Sequence, residues 1–86
     1  MIIEKKTWPE YFKAIKRGDK NFELRLADFQ VKIGDTLLLK EWNPKSKEYT
    51  GREIRKKVGY ILKTKNLNFH KAKEREKYGY YILELR

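Results

Sequence analysis

The sequence of 86 residues contains no cysteine, one serine and one histidine, and these shortages exclude several kinds of chemistry. Without cysteine there are no disulfides, no thiolate nucleophile and no Cys-ligated metal, and the composition fits a reducing cytoplasm. Ser46 stands in a turn and His70 in a predicted solvated loop, so a Ser-His-Asp triad would need two coincidences. Zinc sites need three or four ligands together, so we predict neither a metal nor a cofactor.

Long apolar stretches are missing as well. No apolar run approaches the roughly 20 residues that a membrane span needs, and the N-terminus lacks the apolar core of a signal peptide. We therefore expect a cytoplasmic protein without membrane contact. The two prolines and five glycines are scattered singly, no phosphate-binding glycine motif occurs, and there are no repeats. The length favours a single domain over residues 1–86, which we expect to be a monomer.

Positive charge, in contrast, is abundant. Lys and Arg number 22 against 12 acidic residues, a net charge of +10, and such a field attracts phosphate backbones. Enrichment in Lys and Glu is also typical of a thermophilic protein, but this explains charge of both signs and not the imbalance. Seven of the ten surplus charges lie between Arg52 and Lys77. This tract predicts a phosphate-tracking surface, with a merely solvated lysine-rich loop as the alternative.

One helix is clearly indicated near the N-terminus, over residues 8–17. Thr7 and Glu10 have the spacing of a capping box, Pro9 falls in the first turn, and Gly18 is a typical C-terminal stop. Four large apolar side chains recur at helical spacing and predict one packed face; they are Trp8, Tyr11, Phe12 and Ile15.

Strands account for most of the remaining chain. A short strand is predicted over residues 2–5, and longer ones over 21–26, 36–42, 52–62 and 80–85. The third is apolar on both faces and therefore central, and Gly59 marks a bulge in the fourth. A short second helix could form over 69–76. The predicted fold class is α+β, a small mixed β-barrel with the N-terminal helix packed across it.

The segment from Gly18 to Arg25 contains the best candidate site. Glu23 and Arg25 share one face of a strand, and Lys20 stands at its start. A Lys, a carboxylate and a guanidinium in this arrangement could hold a base edge or a phosphate. An ion-pair network without a ligand, in which Glu23 balances Lys20 and Arg25, is equally consistent with the pattern.

This segment resembles a known signature. Gly18, Lys20, Glu23 and Arg25 match the G-x-K-x-x-E-x-R motif of ASCH domains, which belong to the PUA-like superfamily. The similarity covers residues 8–62 well and 79–85 loosely, and includes a compact ASCH-like subfamily. Its best-matching stretches are residues 11–15, 29–42, 49–52 and 58–61. The resemblance implies a β-barrel, a cleft beside the helix lined by the signature residues, and RNA binding tied to translation or RNA modification.

Two departures from the family pattern affect this interpretation. Residues 26–29 lack a polar Asn-Asp-Arg insert that subfamily relatives tend to carry, so a ligand contact made there would be missing. One ASCH branch hydrolyses N-acylated cytidine with a lysine and a threonine nucleophile. Lys20 matches that lysine, but Glu23 occupies the place of the threonine. A carboxylate could still act as a base for water, so hydrolysis is weakened and not excluded.

Our sequence-based hypothesis is therefore an RNA-binding domain, or one that binds a nucleotide-like small molecule. Lys20, Glu23 and Arg25 would form the pocket, and a second set would hold phosphates: Arg52, Arg55 and Lys57. The alternatives are an amidohydrolase acting on an acylated nucleoside through Lys20 and Glu23, and a small basic protein that coats DNA.

Aromatic residues are interpreted mainly as core. Trp8, Phe22 and Tyr60 are predicted to be buried. Trp42 and Tyr49 flank a predicted hairpin turn at residues 43–47. They could stack a base, although cross-strand packing explains them nearly as well.

Overall fold

The computed structural model describes residues 1–64 and 79–86, which form one helix and five strands. The elements follow the predicted order. They are β1 (Ile2–Thr7), α1 (Pro9–Arg17), β2 (Phe22–Leu26), β3 (Thr36–Asn43), β4 (Glu48–Lys63) and β5 (Tyr80–Leu85). The second helix predicted over 69–76, His70 and the basic residues from 65 to 77 lie outside the described residues. Within the described ranges, no helix has both the length and the apolar character needed to cross a membrane.

The strands form a mixed sheet in the order β1-β3-β4-β5-β2, with β1 parallel to β3 and the other neighbours antiparallel. The long strand β4 pairs with β3 along its first part and with β5 along its last part. The register shifts between Val58 and Tyr60, which confirms the predicted bulge at Gly59. A Cβ at Gly59 would meet the side chains of Glu84 and Arg86, so glycine suits this close approach of β5.

The predicted closure into a barrel is wrong. In the described part of the chain, β1 and β2 are the two edges of the sheet, and no backbone pairing joins them. Among the described residues, all five residues of β2 pair with β5 and with no other strand. A side-chain hydrogen bond links the two edge strands where backbone pairing is missing. Arg25 Nη2 on β2 donates to the carbonyl oxygen of Lys6 on β1 at 2.7 Å. We call this gap between the edge strands the seam.

The core lies between α1 and the inner face of the sheet. Phe12 and Ile15 of α1 are fully buried, and burial of side chains of this size contributes about 1.5–3 kcal/mol each. Strand β3 has a neighbour on each side and buries its apolar residues on both faces, as predicted for the central strand. The buried sheet residues packed around Ile15 are Leu37, Leu39, Val58, Tyr81, Leu83 and Leu85.

The C-terminal stop of α1 is as predicted, and the predicted N-terminal capping box is not present. Gly18 adopts φ 86° and its amide bonds back into the last turn, a left-handed conformation that glycine adopts at little cost. Pro9 occupies the first turn, also as expected. The capping box is wrong, because Trp8 is the N-cap and makes no side-chain cap bond. Thr7 instead remains in β1, paired opposite Glu41 in the sheet.

Strand β2 buries its polar face, although its apolar residues suggest that the other face would be buried. Glu23 and Arg25 point into the fold, while Phe22, Leu24 and Leu26 are exposed. The prediction that Trp8, Phe22 and Tyr60 are core residues is therefore wrong, since each has at least half of its surface accessible. The polar face can turn inward because its charged groups find partners at the seam.

Candidate functional site

A cleft opens at the seam, beside the start of α1. Its volume is about 550 Å³, within the range of pockets that hold small molecules. It is lined by Lys6, Thr7, Trp8, Tyr11, Lys20, Phe22, Glu23, Leu24 and Arg25. The first four come from β1, the N-cap of α1 and α1 itself, and the others come from β2 and the turn that precedes it. The two sheet edges that fail to pair therefore form the walls of the candidate site.

The floor of the cleft is a buried carboxylate held by two cations. Glu23 is 4% exposed. Its Oε1 accepts a hydrogen bond from Lys20 Nζ at 2.7 Å, and its Oε2 accepts one from Arg25 Nε at 2.8 Å. The ion pairs that the sequence suggested are thus present. Since two cations surround one carboxylate, the group keeps one net positive charge and is suited to an anion.

The cations of this group retain donors after their protein partners are satisfied. Lys20 Nζ also donates to the carbonyl oxygen of Phe22 at 2.7 Å, which leaves one of its three N–H groups. Arg25 Nη2 reaches Lys6 and lies 3.4 Å from Thr7 Oγ1. Among the described residues, nothing accepts from Arg25 Nη1. These remaining N–H groups can bind a phosphate oxygen or an acceptor on a base edge.

The position of Lys20 follows from the end of the helix. Its backbone amide donates to the carbonyl oxygen of Ala14 at 3.1 Å, and the amide of Asp19 donates to the same oxygen. The left-handed turn at Gly18 makes both bonds possible. Lys20 therefore enters the cleft from a fixed helix terminus, opposite Arg25 on the strand.

Three aromatic rings border the charged floor. Trp8, Tyr11 and Phe22 are 50%, 47% and 51% exposed, and all three line the same cleft. Trp8 and Tyr11 are stacked, with ring centroids 6.4 Å apart. The ammonium group of Lys20 lies 4.8 Å from the centroid of the Phe22 ring and 5.7 Å from that of Tyr11. Rings next to cations provide a stacking surface for a nucleobase.

Sequence reasoning missed these rings as site residues. A signal for Phe22 was present, because a strand that turns Glu23 and Arg25 inward must turn Phe22 outward. No comparable signal existed for Trp8. Its exposure depends on how the start of α1 packs against the sheet, and this is a tertiary property.

A further lysine raises the positive charge at the seam. Lys5 lies on the inner side of β1, and its Nζ is 3.6 Å from the centroid of the Phe29 ring. Partial burial lowers the pKa of Lys5, and the nearby Arg25 lowers it further, while Asp28 opposes the change. The lowered pKa of Lys5 thus comes mainly from burial, and the contribution of Arg25 shows that these two cations lie near each other at the seam.

Arg52 was predicted to hold phosphates, and the structure places it outside the cleft. Its Nε and Nη2 donate to Oε1 and Oε2 of Glu41, both at 2.8 Å, and Thr50 Oγ1 donates to Oε1 at 2.6 Å. Glu41 is 1% exposed. The hydrogen bonds from Arg52 hold the pKa of the Glu41 carboxyl below its ordinary value, although burial opposes them. The same contact raises the pKa of Arg52.

Arg55 and Lys57 are exposed on the opposite face of β4 from the core. The structure therefore brings together Lys20, Glu23 and Arg25, and it separates the three other predicted site residues from them. Residues 1–64 and 79–86 contain no group of three His, Cys, Asp or Glu side chains that could hold a metal ion.

Comparisons with known proteins add information about the family and the fold. A family model described as a domain of unknown function, DUF3850, matches residues 2–84. The chain is similar to the crystal structure of hypothetical protein PH0355, with a TM-score of 0.69 and 22% identity, over 100% of this chain and 98% of the other. This similarity extends to the fold alone. A search of curated proteins found no significant match.

Proposed function

The chain belongs to the DUF3850 family, and we propose that it binds single-stranded RNA by holding one nucleotide in the cleft at the seam. The observation that carries this proposal is the combination of two kinds of group in one cleft of about 550 Å³. Lys20 and Arg25 have N–H groups left for an anion. Three half-exposed rings stand beside them and suit a base.

The size of the cleft favours a single strand over a duplex. RNA-binding proteins read unpaired bases that can leave the stack and rest on aromatic rings, and a cleft of this volume has room for one nucleotide. The resemblance of residues 18–25 to the ASCH signature supports RNA as the nucleic acid. We accordingly propose a distant relationship to PUA-like proteins, with the barrel left open at the seam.

The three predicted phosphate-binding residues on β4 are expected to contribute differently to RNA affinity. Arg55 and Lys57 are exposed and add a sequence-independent attraction for phosphates. Arg52 is about half exposed but already forms two hydrogen bonds with Glu41. Its contribution to RNA affinity should be the smallest of the three, because binding a phosphate would compete with the buried carboxylate.

The test is a titration of labelled single-stranded RNA over a range of salt concentrations. We expect log affinity to fall linearly with log salt, by about 0.7 per phosphate contacted. Arg25→Ala should lower the affinity by roughly tenfold, since a good Arg contact to a base or phosphate is worth about 1–3 kcal/mol. Arg17→Ala is the matched control. It removes the same charge from an exposed ion pair with Asp19 and should change the affinity by less than about threefold.

Three outcomes would contradict this function. Absent binding or binding insensitive to salt would overturn it, and so would equal losses in Arg25→Ala and Arg17→Ala. Equal affinity for any duplex DNA, unchanged by Arg25→Ala, would instead support the DNA-coating alternative. Thermal unfolding of each variant shows whether the fold is intact, and Lys20→Gln provides a second cleft variant in case Arg25→Ala does not fold.

Hydrolysis of an acylated nucleoside is the second candidate. The cleft holds the Lys20 ammonium group and the Glu23 carboxylate in direct contact at 2.7 Å, and these are the groups that this chemistry would use. However, both oxygens of Glu23 already accept hydrogen bonds from cations, which makes the carboxylate a poorer base for water. Release of cytidine from N-acylcytidine by the protein, lost in Lys20→Ala, would establish this activity. Absence of turnover would exclude it.

A further inference from the structure

A second group of rings and cations lies one strand away from the cleft, where β3 and β4 join. Trp42 and Tyr49 are cross-strand partners in the register of these strands. Their ring centroids are 5.0 Å apart with an interplanar angle of 74°, an edge-to-face contact. Cross-strand packing accounts for this contact. It does not account for Tyr49 remaining 51% exposed.

Two ammonium groups flank the exposed ring. Lys6 Nζ lies 5.8 Å from the centroid of Tyr49 and 3.9 Å from that of Trp42. Lys40 Nζ lies 5.7 Å from the centroid of Tyr49 and forms an ion pair with the exposed Glu4 at 3.4 Å. We call Lys6, Lys40, Trp42 and Tyr49 the hairpin platform. In the described part of the chain, the Lys6 ammonium has no hydrogen-bond acceptor, so it can bind a phosphate.

Lys6 connects the hairpin platform with the cleft. Its backbone carbonyl oxygen accepts the hydrogen bond from Arg25 that spans the seam, and the residue lines the cleft. Its side chain, however, reaches over Trp42. In the sheet register, Lys6 on β1 lies opposite Lys40 on β3, so the hairpin platform begins at the strand that borders the cleft.

We propose that the RNA strand continues out of the cleft across β1, with a neighbouring base stacked on Tyr49 and the intervening phosphate held by Lys6 and Lys40. This inference rests on the proposed function of the cleft and names its ligand as an oligonucleotide, in preference to a free nucleotide. Rings that alternate with cations along a path are the arrangement by which proteins track a single strand. Trp42 supports Tyr49 edge-on and keeps its ring in place.

The test compares a mononucleotide with a trinucleotide. Each of the four ribonucleoside 5′-monophosphates and the corresponding homotrinucleotides is titrated against the wild-type protein and Tyr49→Ala. We expect the wild type to bind its preferred trinucleotide at least about fivefold more tightly than the monophosphate, since stacking one base contributes at least about 1 kcal/mol. Tyr49→Ala should lose the stacking part of this gain, about fivefold in trinucleotide affinity, and bind the monophosphate as the wild type does.

Two further variants separate stacking from charge and from folding. Tyr49→Phe keeps the ring and should keep the gain. Lys40→Gln leaves both rings in place, and should reduce the slope of log affinity against log salt by about 0.7 for the trinucleotide alone. If Tyr49→Ala does not fold, as judged by thermal unfolding, Lys40→Gln decides the question.

The failures of the two proposals are distinguishable. If the monophosphate binds and the trinucleotide binds no more tightly, the hairpin platform is overturned and the cleft function stands. If Tyr49→Ala retains the gain, the platform is likewise overturned. If no monophosphate or trinucleotide binds the wild type, the cleft function is overturned, and the inference that rests on it falls too.

Discussion

At the scale of single residues, two buried glutamates show how similar ion pairs serve different purposes. Glu23 and Glu41 are both almost fully buried and both accept hydrogen bonds from an arginine. The partners of Glu23 line an open cleft and retain N–H groups. Arg52, in contrast, gives two parallel hydrogen bonds to Glu41, which is the strong, geometrically specific form of this contact. The first pair is suited to binding and the second to holding β3 and β4 together.

Glu41 leads to a prediction about pH. Its folded-state pKa lies below the ordinary value of 4.5, so its ionised form contributes stability that is present above pH 4.5 and lost as the pH falls through the folded-state pKa. Glu41→Gln should be less stable than the wild type at neutral pH. It should also lose less stability than the wild type on acidification below pH 4.5. Urea unfolding at a series of pH values measures both effects.

The control for this experiment is Glu53→Gln, which changes an exposed glutamate on β4, the strand that carries Arg52. It should follow the pH profile of the wild type. A profile for Glu41→Gln that is parallel to the wild type throughout the acid range would show that the ion pair of Glu41 and Arg52 does not contribute to acid sensitivity.

At the scale of secondary structure elements, β2 shows that an amphipathic strand need not bury its apolar face. The alternation of residues 22–26 is as predicted, but its polar face turns inward. Both oxygens of the buried Glu23 carboxylate accept hydrogen bonds from cations, which offset the penalty of removing the charge from water. The outward apolar face leaves Phe22 available to the cleft.

This orientation predicts contrasting effects of two substitutions at neighbouring strands. Leu24→Ser changes an exposed side chain and should cost less than about 1 kcal/mol, the scale of a cross-strand contact. Leu83→Ala on β5 removes a fully buried side chain from the core and should cost about 2–5 kcal/mol. Chemical denaturation measures both values. Comparable costs would mean that β2 packs with its apolar face inward after all.

At the scale of the whole molecule, the open seam is the feature that distinguishes this fold from a closed barrel. The bulge at Gly59 bends β4 so that one strand serves both halves of the sheet. The edges β1 and β2 then approach closely enough for Arg25 to span them by one hydrogen bond. In the proposed function, the positive charge of the molecule attracts RNA from a distance, and the seam provides the cleft that holds one nucleotide.

The seam should be visible in hydrogen exchange. Backbone amides of β3, which pairs on both sides, should exchange slowest and require global unfolding. Amides of β1 and β2 that face the seam have no strand partner among residues 1–64 and 79–86, and they should exchange many times faster. Residue-resolved exchange measured by NMR tests this prediction. Uniformly slow exchange along both edge strands would indicate a barrel that closes in solution.

The sequence by itself determined what depends on neighbouring residues. Gly18 ends α1 because a left-handed residue is needed there, and the doubly apolar run of β3 could only be a central strand. The spacing from Lys20 to Arg25 placed both side chains near Glu23, because alternation along a strand is a local property. These features required no knowledge of what packs against them.

The tertiary structure alone decided which partners those residues meet. Thr7 could cap a helix or extend β1, and pairing with β3 selected the strand. The charge of Arg52 was evident from the sequence, but only the fold shows that its partner is Glu41, eleven residues earlier in the chain. Closure of the sheet into a barrel depends on the bend of β4 and the length of β2. Because β1 and β2 do not pair with each other in the described residues, a cleft is left between them. Periodicity cannot reveal such features, because free energies of burial and pairing depend on contacts between distant parts of the chain.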